Sequence, residues 1–143
     1  MKRNQFLATV SAAQLCFGLG GMALAIRRHH AFDLPFWHGQ DSAVGRDSLL
    51  AGTALSAPAA MLGAQAGATA VLLWRPKTEA ARLLGGLGAA MAAGYLAERL
   101  VRRRLLPSGW DAMESSVVVA GMSLAAVMTV LGLRFPGAES EAG

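Results

Sequence analysis

Four long stretches of the chain are almost free of charged residues, and they constrain its fold more than any other feature. They cover about 6–26, 48–74, 83–100 and 115–135, and Glu98 is the one charge that lies within a stretch and not at its tip. A helix of roughly 20 apolar residues crosses the hydrocarbon core of a bilayer. A hydrophobic fraction of 54% and a mean hydropathy of +0.41 agree with this class. The sequence therefore predicts an all-α fold, a four-helix transmembrane bundle.

The segments between and after the spans complete the predicted architecture. The bundle forms a single integral membrane domain over 1–143, with a long interfacial loop at 27–47 and a disordered acidic tail at 136–143. Pro58 is expected to bend the second span, and Cys16, the single cysteine, to be a small buried side chain. An alternative treats residues 1–25 as a cleavable signal peptide, because basic residues precede the apolar run and "ALA" ends it.

The positive charge of the chain indicates contact with lipid. The net charge is +4 and the pI about 10.2, but the basic residues gather at the ends of the apolar stretches, where head groups and membrane topology explain them. This pattern disfavours nucleic acid as a partner. Lys and Arg are nearly balanced between the two sides, so orientation stays open. The Ala, Gly and Arg bias is typical of a GC-rich bacterial genome, and we expect a multi-pass protein of a bacterial plasma membrane.

Rows of small residues predict which helix faces pack together, because helices in lipid associate by close approach of their backbones. The first span offers Gln14, Gly18 and Gly21. The rows of the second and third spans are Ser56, Ala60, Gly63 and Gly67, and Gly86, Ala90, Gly94 and Glu98. Gln14 is expected to form a hydrogen bond between helices, and Gln65 and Thr69 are expected to do the same.

The remaining polar residues collect at one end of the predicted bundle. We therefore expect any site there, between the long loop and the connection from the third to the fourth span. The candidate catalytic residues are Glu98, Asp47, Asp111 and His38, and the candidate substrate-binding residues are Trp37, Arg46, Asp33, Asp41, Trp110 and Glu114. No established ligand spacing links the histidines to other donors, so neither a metal nor another cofactor is predicted.

Each candidate also has a structural interpretation. Asp47, Asp111 and Glu114 are placed to cap helices, and Trp37 is placed to anchor the loop at the membrane interface. Glu98 stands four residues before Arg102, in the order that favours an ion pair. A network of ion pairs would account for the whole collection.

Two classes of function fit this arrangement, and a small transporter is third. The first is an enzyme that performs acid–base chemistry on a lipophilic small molecule, by isomerisation, cyclisation or epoxide opening. Glu98, Asp47 and Asp111 would act as acids, His38 as the base, and Arg46 would orient the substrate. The layout is similar to that of sterol-isomerase-like and bacterial membrane-cyclase proteins, which implies carboxylates that protonate alkenes or epoxides. The second class is a non-catalytic accessory subunit, which binds a partner membrane subunit or forms a homo-oligomer.

Small multidrug exporters are similar in size to this chain. Their resemblance to one another rests on a glutamate in the first helix, however, where this chain has Gln14. The segment "GRDSLLAG", at 45–52, resembles the start of the second helix in small four-helix bacterial families.

Overall fold

The computed structural model describes residues 2–28, 33–34, 37–38, 57–75 and 77–134, with the backbone alone for 33–34, 37–38 and 99–100. These residues form helices α1 (Arg3–Arg27), α2 (Ala59–Trp74), α3 (Thr78–Ala97), α4 (Arg99–Arg104) and α5 (Ala112–Leu133), with a 3₁₀ turn at Pro107–Gly109. Two short antiparallel strands, β1 (Asp33–Leu34) and β2 (Trp37–His38), pair Asp33 with His38. The predicted fold class, a helical bundle of membrane type, is confirmed.

The four longer helices surround a main apolar core, and a smaller second cluster contains Ala25, Tyr95, Val101 and Val118. Helix α1 packs against α2 and α5, and α3 packs against the same two helices from the opposite corner. Helices α1, α3 and α5 have 25, 20 and 22 residues and are apolar enough to cross a bilayer. Helix α2 has 16 residues, about 24 Å at 1.5 Å per residue. The chain is therefore a small helical membrane protein.

The helices begin and end where caps and backbone geometry dictate, and the bounds of α1, α3 and α5 differ from the predicted spans by one to five residues. Helix α3 begins at Thr78, so its first turn, which is polar, precedes the apolar stretch that starts at 83. The helix ends before Glu98, whose ψ of 126° is extended. Pro58, with a ψ of 143°, stands immediately before the first residue of α2. Residues 48–56 of the predicted second span lie outside the described residues.

Helices α3 and α5 approach each other through glycine. A Cβ atom added to Gly88 would lie 2.7 Å from the carbonyl oxygen of Ala125, and one added to Gly85 would lie 2.8 Å from the backbone nitrogen of Leu133. Gly132 faces Gly85 across the same contact. Such backbone contact is how helices associate in lipid, where burial of apolar surface gives no driving force between them.

The predicted packing rows are correct for one helix and wrong for two. Gln14, Gly18 and Gly21 are all buried, as expected. The described Ala and Gly members of the other two rows are exposed instead: Ala60, Gly63 and Gly67 on α2, and Gly86, Ala90 and Gly94 on α3. Glu98, which ends the third row, is buried. In segments made largely of Ala and Gly, a row of small residues can be drawn on any face, so the spacing does not identify the buried one.

Further sequence predictions concern single residues and the connecting segments. Cys16 is exposed on α1, so the expectation that it is buried is wrong. A step of two residues from the buried Gln14 turns its side chain away from the core. Most of the predicted loop 27–47, together with the tail 136–143, lies outside the described residues.

Candidate functional site

A fully buried carboxylate lies where α1 ends and α5 begins. The side chain of Glu114 has 0% exposure and sits between two arginines. Arg28 donates from Nη1 to Oε1 of Glu114 over 2.6 Å, and Arg104 donates from Nε to Oε2 over 2.8 Å. Each carboxylate oxygen thus has its own cationic donor, and hydrogen bonds between two charged groups are among the strong ones.

Asp111 extends this group of charges and caps α5. Its Oδ1 accepts the backbone N–H groups of Met113 and Glu114, at 3.2 and 2.9 Å, and its Oδ2 lies 3.3 Å from Nη1 of Arg28. The hydrogen bond from the Glu114 backbone and the neighbouring Arg28 hold the pKa of the Asp111 carboxyl below its usual value. The same two carboxylates raise the pKa of Arg28. We call Arg28, Arg104, Asp111 and Glu114 the ion-pair cluster.

The turn between α4 and α5 holds the ion-pair cluster in place. Arg104 also donates from Nη1 to the carbonyl oxygen of Gly109 over 3.0 Å. Ser115 donates from Oγ to the carbonyl oxygen of Arg104 over 2.9 Å and accepts the backbone N–H of Asp111 over 3.1 Å. A Cβ atom at Gly109 would collide with the carbonyl oxygen of Arg103, so the turn requires glycine there.

Glu98 and Trp110, two further predicted site residues, lie in different environments. Glu98 has 5% exposure and ends α3, and its carbonyl oxygen accepts the backbone N–H of Arg102 over 3.2 Å. Trp110 is 56% exposed, as suits an aromatic side chain at the membrane interface. The structure places Glu98 at the polar end of the bundle, as the sequence predicted, but its function stays a prediction.

The predicted loop residues are described only in part. Asp33 and His38 stand opposite each other in the β1–β2 pair, and Trp37 is opposite Leu34. Strand β1 lies against α4, the helix that follows Glu98. Arg46, Asp41 and Asp47 lie outside the described residues, so their assigned roles stay predictions.

A second polar group lies inside the membrane part of the bundle. Gln65 on α2 donates from Nε2 to the carbonyl oxygen of Ser11 on α1 over 2.9 Å, and Oγ of Ser11 lies 2.8 Å from Oγ1 of Thr69. These bonds confirm the predicted interhelical role of Gln65 and Thr69. The same prediction for Gln14 is wrong, because neither polar atom of its side chain has a hydrogen-bond partner in the part of the chain that the structure describes.

Sequence reasoning named both carboxylates of the ion-pair cluster but neither of its arginines. Asp111 caps α5 as expected, whereas Glu114, also expected to cap, pairs with Arg28 and Arg104. The sequence analysis interpreted these arginines only as basic residues at the ends of the apolar stretches. The predicted topology could have indicated the pairing, because it places the end of the first span and the start of the fourth on the same side.

The cluster joins the end of α1 to the start of α5. Asp111 pairs with Arg28, and both oxygens of Glu114 bind guanidinium groups. Comparison of the chain with protein-family models, with curated proteins and with solved structures gives no match.

Proposed function

We propose that this membrane protein is a non-catalytic subunit of a larger membrane complex, which binds other transmembrane helices through the outer face of α2 and α3. The observation behind the proposal is the composition of that face. Between 60 and 70 every exposed residue of α2 is Ala or Gly, and the same holds for α3 between 86 and 94. The bulky exposed side chains of these helices stand toward the helix ends, namely Val71, Leu73, Trp74, Leu83 and Leu96.

The opposite side of the bundle differs. Helices α1 and α5 expose large apolar side chains along their middle turns, among them Phe17, Leu19, Val119, Val127 and Val130. Such side chains suit contact with lipid tails. A face of Ala and Gly lets the backbone of another helix come close, which is the usual basis of helix association in membranes. Gly63 and Gly67 on α2 and Gly86 and Gly94 on α3 have open space where a Cβ would stand.

The ion-pair cluster supports the same class of function. A carboxylate acts as a general acid only if it is protonated at the working pH. The pKa of Asp111 is lowered by the backbone N–H of Glu114 and by Arg28, and this favours a structural role for a residue that the sequence offered as an acid.

Site-directed cross-linking tests the proposed face. In a Cys16→Ala background, Ala66→Cys on α2 and Ala89→Cys on α3 are compared with Ala126→Cys, an equally exposed position on α5. We expect cross-linked products in membranes from the first two variants and none from the third. A product of twice the chain mass identifies a second copy as the partner, and a product of another mass identifies a different subunit.

Bulky substitutions provide the matched test. Gly67→Leu and Gly86→Leu should abolish the cross-linked product without unfolding the bundle, because nothing lies within 4 Å of a Cβ at either position. Ala126→Leu on α5 should leave the product unchanged. Equal cross-linking at Ala126, or products that persist in both leucine variants, would contradict the proposed interface.

An acid–base enzyme is the second candidate, and the burial of Glu98 favours it. Glu98 is 5% exposed at the end of α3, and Asp33 and His38 stand opposite each other on the strand pair beside α4. In this proposal Glu98 donates a proton to a lipophilic substrate and His38 is the base. Lipid extracts from cells that express the wild type should contain an isomerised or cyclised product that Glu98→Gln removes and Glu79→Gln retains. Identical extracts from all three strains would argue against catalysis.

A further inference from the structure

Four buried side-chain polar atoms have no hydrogen-bond partner among the described residues. One is Oη of Tyr95, and the other three are Nε2 and Oε1 of Gln14 and Oε1 of Gln65, whose side chains have 0% exposure. Within a bilayer no solvent reaches such atoms, and leaving them unpaired is strongly unfavourable. Buried polar atoms that protein does not satisfy are the usual places for bound water or ligand.

The two amides belong to one polar region. Gln65 binds Ser11 through its Nε2, and Gln14 follows Ser11 by three residues on the same buried face of α1. Three residues correspond to about 4.5 Å along a helix. Sδ of Met128 on α5 lies 3.8 Å from Nε2 of Gln65. Gln65 therefore contacts α1 about one helical turn from Gln14.

We propose that Gln14 and Gln65 form a binding site for a neutral hydrogen-bonding group in the interior of the bundle. The Gln14 amide can donate and accept, and Oε1 of Gln65 accepts, so the pair matches a group such as a hydroxyl, which can do both. Ser11 and Thr69, the described polar side chains bonded in this region, are uncharged as well, and an ion would require a compensating charge there. The group is supplied by a buried water molecule or by a lipophilic molecule that enters from the bilayer. The site is independent of the proposed α2–α3 interface.

The sign of a stability change tests whether the site is occupied. Gln14→Met replaces the amide by an apolar side chain of similar length, and the full chain in lipid nanodiscs serves for the measurement. If the amide holds a bound group, the variant loses those hydrogen bonds and its Tm falls by several degrees. If the amide is simply unpaired, the substitution removes an unfavourable buried group and the Tm rises, which overturns the proposal. Gln5→Met, at an exposed position of the same helix, is the control.

Direct observation distinguishes the two sources of the bound group. In ¹⁵N-labelled wild type, the side-chain amide of Gln14 should show cross-relaxation with water if water fills the site, while the backbone amide of the fully buried Leu84 should show none. If a lipophilic molecule fills it, mass spectrometry of organic extracts should find a compound that is several-fold depleted in Gln14→Met. The absence of both signals also overturns the proposal, and it does so even if the variant fails to fold.

Discussion

Glu114 shows how strongly the surroundings of one residue determine what its charge can do. Its side chain is enclosed completely, and Arg28 and Arg104, both part-exposed, bind one oxygen each. Removing one member of a buried charged group leaves the others without compensation, and this is more damaging than losing the attraction itself. The residue is therefore expected to contribute to stability even though surface ion pairs seldom do.

Glu114→Gln should destabilise the bundle by about 2 kcal/mol, the low end of the range for hydrogen bonds to buried charges, because its partners remain partly hydrated. Equilibrium unfolding of the chain in mixed micelles would measure the loss. Glu79→Gln removes an exposed carboxylate from the first turn of α3 and should have little effect. Equal effects of the two substitutions would show that the Glu114 ion pairs add nothing.

The lowered pKa of Asp111 predicts that the stability of the fold depends on pH. A carboxylate whose pKa is lower in the folded than in the unfolded state stabilises the fold at pH values above its unfolded-state pKa. That contribution is lost as the pH falls through the folded-state pKa. The ordinary value is 3.8 and the folded pKa is lower, so the loss should occur below about pH 4.

Asp111→Asn keeps a side chain that caps helices well but cannot ionise. The Tm of the wild type should therefore fall more steeply than that of the variant between pH 7 and pH 3. Parallel melting curves over this range would contradict the assigned role of the carboxylate.

At the scale of elements, the contact between α3 and α5 depends on individual glycines. Gly85→Ala should destabilise the bundle by about 1–3 kcal/mol, because the new Cβ would press on the backbone of Gly132 and Leu133. Gly86→Ala, one residue away, meets nothing within 4 Å and should be neutral or slightly stabilising, since alanine favours helix. Thermal melts of the two variants would measure this difference in stability. Similar destabilisation by both would contradict the packing.

The same two helices show what the sequence could and could not predict. Hydropathy located the four long helices, because the bilayer imposes a length and a composition on any span. It could not distinguish Gly85 from Gly86, since both faces of α3 are rich in small residues and packing alone selects one. The ion-pair cluster could be predicted only in part, because local sequence does not show which distant segments come into contact. Asp111 could be recognised as a cap from local sequence, whereas the partners of Glu114 come from distant helix ends.

At the scale of the whole molecule, the helix arrangement places the start of α1 and the end of α5 at the same end of the bundle. Arg3, at the start of α1, donates from Nη2 to the carbonyl oxygen of Leu131 near the end of α5 over 3.2 Å. The turn at Pro107–Gly109 precedes α5 and so lies at the opposite end.

Cysteine labelling tests this topology. In a Cys16→Ala background, Gln5→Cys and Leu133→Cys should react alike with a membrane-impermeant maleimide applied to intact cells, and Ser108→Cys should behave in the opposite way. These substitutions leave every charge in place, so they do not disturb the basic residues that orient the protein. Labelling of Gln5→Cys and Ser108→Cys from the same side would contradict the arrangement.

The bond between Arg28 and Glu114 also sets an order of events during synthesis. The two residues are separated by 86 positions, so the partner of Arg28 is synthesised only after α1, α2 and α3. Until then the end of α1 keeps its charge in the head-group region without a carboxylate from α5. The ion-pair cluster is thus a late contact, which closes a long loop of chain, and the complete bundle cannot form before the last span has been inserted.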